Sequence, residues 1–271
     1  MKPKEISSIF GKKLSQIEQI QISLPQNKKI YFASDFHLGT QPFEESLSRE
    51  KKIVRWLDEI KSTTAVLFLV GDIFDFWFEY KHAIPKGGTR LLGKIAEFTD
   101  SGIPVHIFTG NHDIWMFDYL EQELNVSIHR KQLIVNVDGK TFFVAHGDGL
   151  GPNDKKFKRL KKIFTQPFFQ WCFKWLHPDI GILIARLWSN SSKTNPEWEK
   201  YFGEDKEWLI LYAKRKLEMH HFDYFVFVHR HLPLEIILKE KSVYFNLGDW
   251  MVNFTYLIYD GNEAKLARFM D

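Results

Sequence analysis

Short apolar runs that stop on a carboxylate, an amide or an imidazole recur along this chain. The first lies in residues 28–34, where Ile30-Tyr31-Phe32-Ala33 leads into Asp35-Phe36-His37. Side chains two apart on extended backbone project to the same side, so this strand brings one carboxylate and one imidazole to a single point at its carboxyl end. Ile53, Trp56, Leu57 and Ile60 then fall at helical spacing and predict a helix over 44–60. Residues 65–70 are wholly apolar, read as a buried parallel strand, and stop at Gly71-Asp72. Leu91, Leu92, Ile95 and Phe98 predict a second helix over 89–98, and residues 104–108 form the next strand, ending at Gly110-Asn111-His112-Asp113. Strand and helix alternate, and polar residues collect where the ligand sites of open α/β sheets lie.

After Asn125 the pattern changes to closely spaced strands over 126–129, 132–137 and 141–145, with Asp138-Gly139 as a hairpin signal and His146-Gly147-Asp148 at the last stop. Residues 153–221 are helical by pattern, basic at first and then aromatic, and read as an insertion because the strand rhythm resumes afterwards. Residues 223–228 end at His229-Arg230-His231, and strands over 234–238, 243–246, 253–259 and 264–269 complete a second sheet. The expected architecture is an α/β (α+β) sandwich of two stacked mixed sheets flanked by helices. It comprises an N-terminal arm over 1–27, a domain over 28–271, and a helical insertion, or lid, at about 153–221.

Composition adjusts this picture slightly. With 44% hydrophobic and 26% charged residues a packed core is expected, and a formal charge of +3 does not suggest nucleic-acid binding. The single cysteine, Cys172, excludes an intrachain disulfide and a thiolate metal cage, so a reducing, cytoplasmic setting fits. The first residues lack the apolar core of a signal peptide, and no apolar run is long enough to span a membrane. Nothing in the chain points to an obligate protein partner.

The stops supply Asp35, His37, Asp72, Asn111, His146, His229 and His231, all oxygen or imidazole donors. Such a set suits Mn, Fe or Zn. It exceeds what one ion needs, and two ions sharing a carboxylate would use all of it. A pair of ions about 3.5–4 Å apart clamps a phosphoryl group and acidifies a bridging water, which as hydroxide is the nucleophile.

In this order, D-x-H, G-D-x-x-D, G-N-H-D, H-G-D and H-x-H resemble the calcineurin-like metallophosphoesterase superfamily. The resemblance implies one metal site of Asp35, His37, Asp72 and His231, and a second of Asp72, Asn111, His146 and His229, bridged by Asp72. It also implies that His112 acts on the phosphate as general acid or transition-state stabiliser, oriented by Asp75.

Within the superfamily, Asp35-Phe36-His37-Leu38-Gly39, Gly71-Asp72-Ile73-Phe74-Asp75, the insertion after His146-Gly147-Asp148, and Leu247-Gly248-Asp249-Trp250 resemble the UDP-2,3-diacylglucosamine pyrophosphatase family of lipid A biosynthesis. That resemblance implies hydrolysis of a UDP-linked acylated glucosamine lipid to UMP and the sugar 1-phosphate. It implies manganese as the metal, and a peripheral location on the cytoplasmic face of the inner membrane. Asn111, His112, Lys155, Lys158, Arg159 and Lys162 are the expected substrate-binding residues, and the aromatic stretch 164–175 is expected to meet acyl chains or membrane. The chain departs from the family twice. His112 stands where best-known members carry Arg, and Val228 stands where Gly usually precedes the last H-x-H. A β-branched residue takes a positive φ only at a cost, so the final loop is expected to be built differently or to bind metal more weakly. A soluble phosphoester substrate and a non-catalytic lipid-binding scaffold are the alternative readings.

Overall fold

The structure, a computed structural model, describes residues 17–151, 155–184 and 200–270, with the backbone alone for 155–158 and 240. Its first element is a strand, β1 (Glu18–Ile22), in register with 133–137, so that Ile20 lies opposite Val135. The end of the expected arm is therefore an edge strand of the sandwich. β2 (Lys29–Ala33), α1 (Phe43–Lys61), β3 (Thr64–Leu69), α2 (Thr89–Asp100), β4 (Val105–Phe108), α3 (Tyr119–Leu124) and β5 (Ser127–His129) follow. Next come β6 (Leu133–Val137), β7 (Lys140–Val144), α4 (Lys155–Phe164), α5 (Pro167–Lys174) and a helical stretch over 178–184. α6 (Trp208–Leu217), β8 (Tyr224–Phe227), β9 (Leu234–Ile237), β10 (Val243–Asn246), β11 (Thr255–Tyr259) and β12 (Ala264–Arg268) complete the chain.

The strands form two six-stranded mixed sheets, ordered β12-β11-β2-β3-β4-β5 and β1-β6-β7-β8-β10-β9. β2 to β5 are parallel, with α1, α2 and α3 in the connections, as crossover geometry requires.

Alternation along each strand divides the core into layers. Ile30 and Phe32 face the second sheet, where Phe32 stacks on Phe68 at 4.7 Å and meets Phe142 at 5.8 Å. Tyr31 and Ala33 face the helices, where Ile53, Trp56 and Leu57 of α1 and Leu91, Ile95 and Phe98 of α2 cover the first sheet. On the far side, Leu209, Ile210 and Ala213 of α6 pack on Phe143, Phe225 and Phe227. α6 thus covers the second sheet, although it falls inside the stretch expected to be inserted. α4, α5 and residues 178–184 leave many apolar side chains exposed instead. The carboxyl ends of β2, β3, β4, β7 and β8 lie along one rim, and every expected donor follows one of these ends.

Candidate metal centre

Beyond their last ladder pairs, β2 and β3 continue to hydrogen-bond. Asp35 N donates to Gly71 O (3.1 Å), His37 N to Asp72 O (3.0 Å) and Leu38 N to Ile73 O (3.0 Å). This places Asp35, His37 and Asp72 side by side. Asp35, His37, Asp72, His229 and His231 all adopt left-handed backbone, with φ of 52°, 44°, 51°, 71° and 53°. Non-glycine residues keep this conformation only where their surroundings fix it, and such residues cluster at functional sites. Val228 is not among the left-handed residues. Its side chain lies in the inter-sheet core, and its N donates to His146 O at 3.1 Å. The expected penalty at Val228 does not arise, because the turn is made by the two histidines after it.

The donors form two overlapping groups. In one, His231 Nε2 lies 3.1 Å from Asp35 Oδ1 and 3.4 Å from His37 Nε2, and His37 Nε2 lies 3.7 Å from Asp35 Oδ1. In the other, His146 Nε2 lies 3.4 Å from Asp72 Oδ2 and 3.2 Å from Asn111 Oδ1, and the His146 and His229 rings are 5.2 Å apart. The same Asp72 oxygen, Oδ2, is 3.9 Å from His37 Nε2, so it faces both groups. Donor atoms bound to one ion at ~2.1 Å sit about 3–4 Å apart, which is the spacing found here. His146 Nδ1 points at Val70 O (2.9 Å), which leaves Nε2 for the site. Both carboxylate oxygens of Asp35 are buried and accept no hydrogen bond, a costly arrangement that a cation relieves. Divalent ions fit this donor set.

The electrostatics agree. Burial opposes charge on Asp35 and Asp72, yet His231 beside Asp35 and His146 beside Asp72 hold both carboxyls well below the usual range. Burial also opposes charge on His37 and His146, but Asp35 and Asp75 carry His37 up to about 9, and Asp72 carries His146 up to about 10. Burial, with His146 close by, pushes His229 down to about 3.

His112 lies within reach of the first group. Its N donates to Asp72 Oδ1 (2.9 Å), its ring meets that of His37 edge-on at 4.8 Å, and its Nδ1 is 3.1 Å from the main-chain oxygen of Asp75. The Asp75 carboxylate stands between the two rings, 3.4 Å from His37 Nδ1 and 3.6 Å from His112 Nδ1. Of the expected substrate residues, Asn111 and His112 are in the site, and Arg159 and Lys162 are exposed on α4. The side chains of Lys155 and Lys158 lie outside the described residues.

Several supporting residues carry no local sequence signal. Arg49 of α1 donates to His37 O at 2.8 Å. Lys161 reaches Asp148 at 2.5 Å, and Trp115 Nε1 donates to Phe164 O at 2.9 Å, so α4 is tied to the H-G-D and G-N-H-D loops. Buried Glu79 accepts from the N–H groups of Phe117, Asp118 and Tyr119. Only the meeting of distant segments reveals them. The Asp249 signal was legible in part: Oδ2 of Asp249 holds Asn253 Nδ2, which also donates to His231 O at 3.0 Å.

A sandwich of this topology with two donor clusters at one rim defines a metal-dependent phosphoesterase. The calcineurin-like phosphoesterase family profile matches residues 28–233, and the chain belongs to that family. It is similar to a protein of Porphyromonas gingivalis named UDP-2,3-diacylglucosamine hydrolase, with 34% identity over 90% of this chain and 98% of that one. A Histophilus somni protein of the same name is 26% identical over 62% of this chain and 70% of its own length. The solved structure of a predicted phosphoesterase from Streptococcus pneumoniae overlaps with a TM-score of 0.39 at 11% identity, covering 88% of this chain and 87% of that one.

Proposed function

We propose that the chain hydrolyses the pyrophosphate of UDP-2,3-diacylglucosamine, giving UMP and 2,3-diacylglucosamine 1-phosphate, with manganese as its metal. The observation that carries the reading is the match to the P. gingivalis hydrolase, which spans 98% of that protein and includes the helical segment. Asp35, His37, Asp72 and His231 would hold one ion, and Asp72, Asn111, His146 and His229 the other. When bound, the ions supply positive charge to the phosphoryl oxygens and acidify the attacking water. His112, turned by its Nδ1 toward Asp75 O, presents Nε2 for a proton or hydrogen bond to the developing charge. Arg49 and Asp75 keep His37 in place.

The helical segment supports a lipid substrate. Phe164 and Phe173 turn inward, and Phe173 meets Trp115 at 4.8 Å and Phe78 at 4.7 Å. Phe168 (64% exposed), Trp171 (58%), Trp175 (76%) and Ile180 (51%) face outward beside basic α4. An exposed apolar face next to lysines suits acyl chains or an anionic membrane surface, and no described helix is long and apolar enough to cross a membrane. The exposed face supports peripheral attachment to a membrane surface, and the cytoplasmic face of the inner membrane is the location proposed.

The test is mass spectrometry of the products from UDP-2,3-diacylglucosamine with Mn2+. UMP is expected, and its formation should stop with a chelator. Turnover of soluble phosphodiesters with none of the lipid would refute the substrate.

A further inference from the structure

Between the two histidines of the last loop, Arg230 turns into the protein body. Arg230 and Glu207 are 4% and 3% exposed and form a two-point ion pair, Nε to Oε2 at 3.1 Å and Nη2 to Oε1 at 3.1 Å. Nη2 also donates to Lys200 O at 2.9 Å, and the guanidinium lies 4.9 Å over the Trp208 ring. Lys200, Glu207 and Trp208 belong to the segment that leads into α6, and Glu207 is the residue at the helix start.

The loop needs such a hold. His229 and His231 are both left-handed, at about 1–2 kcal/mol per non-glycine residue, and only one residue separates them. Asn253 fixes the His231 carbonyl from one side. Arg230 fixes the middle of the loop from the other, through its N to Val228 O at 2.8 Å and through its fork on Glu207. A buried ion pair is poor evidence of stability, because apolar residues of similar volume often replace it without loss. Its specific yield is geometry. Arg presents a rigid fork, and Glu207 is itself held at the first turn of α6.

We infer that the Glu207–Arg230 pair is a positioning device, fixing the orientation of His229 and His231 from the segment that enters α6. The inference rests on the metal-centre reading given above. Groups that orient metal ligands typically contribute about 10–100-fold to metal affinity.

The full chain, stripped of metal, would be titrated with Mn2+ by calorimetry alongside measurement of its melting temperature. In the double variant Glu207→Leu, Arg230→Met no buried charge is left alone, so the fold should melt close to wild type while Mn2+ affinity drops about 10–100-fold. Wild-type affinity in this variant would overturn the positioning role and leave the metal site standing. Should the double variant not fold, Arg230→Lys carries the test. It keeps the charge without the fork and should bind Mn2+ about 10-fold more weakly, and undiminished affinity would overturn the inference. Absence of Mn2+ uptake by the wild-type chain would overturn the metal-centre reading itself, and the inference with it.

Discussion

At Gly110 the constraint is space. A Cβ there would stand 2.6 Å from Asp72 N and closer still to the Asp72 carboxylate, so the G-N-H-D loop and the Asp72 turn can approach only through a glycine. Gly110→Ala must push Asp72 away from one donor group or the other. Displacing a reacting group by about 1 Å can cost about 100-fold in rate. Gly110→Ala should therefore lower activity by at least about 100-fold and weaken Mn2+ binding while the far-ultraviolet circular dichroism stays native. Wild-type Mn2+ affinity in the variant would refute this. The convergence of these candidate donors was legible, because each ends an apolar run and their order is specific. Arg49 and Lys161 were not, since their partners His37 and Asp148 are met only after folding. Nor could the sequence place the left-handed turn on His229 and His231 rather than on Val228.

Among the elements, legibility followed hydrophobicity. β2, β3, β4 and β7 are apolar runs whose expected bounds match the observed ones to within a residue or two. β1, Glu-Gln-Ile-Gln-Ile, is half polar and is a strand because β6 offers it an edge. α6 has the same aromatic and basic pattern as the inserted helices, and only the burial of Leu209, Ile210 and Ala213 distinguishes it. α5 has no fully buried residue, and apart from the half-buried Phe173 its aromatic side chains Phe168, Phe169 and Trp171 are exposed and contribute little to folding stability. Replacing Trp171 and Trp175 together by Ser should leave the melting temperature within about 2 °C of wild type, since exposed positions rarely change stability by more than ~0.5 kcal/mol. The same variant should hydrolyse vesicle-borne lipid roughly 10-fold more slowly, because two side chains that would enter the bilayer or the acyl chains are lost. Equal rates on vesicles for both proteins would remove the helical face from the lipid contact.

For the molecule as a whole, the rim cluster links stability to pH. His37 and His146 are raised from 6.5 to about 9 and about 10, so the stability they contribute is complete below the unfolded value and drains away as pH rises through 9 to 10. Asp35 and Asp72 are held low, so their contribution is full above the usual carboxylate range and is lost as pH falls below that range through their lowered values. The metal-stripped protein should therefore melt at a lower temperature at pH 10 than at pH 7. Mn2+ binding requires neutral imidazoles, so it should release protons and tighten as pH rises. Melting curves across this range, and calorimetry in buffers of different ionisation enthalpy, check both. A flat profile would mean that His37 and His146 are not protonated in the stripped protein.

Asp35, His37, Asp72 and Asn111 lie in the first half of the chain and His146 just beyond it, whereas His229 and His231 come late, in the loop that follows β8. A ribosome-bound chain can complete the first sheet's parallel strands long before it possesses either late imidazole. A chain terminated before residue 229 lacks an imidazole of each donor group, so it is expected to hydrolyse no phosphoester, which in vitro translation of truncated messages would check.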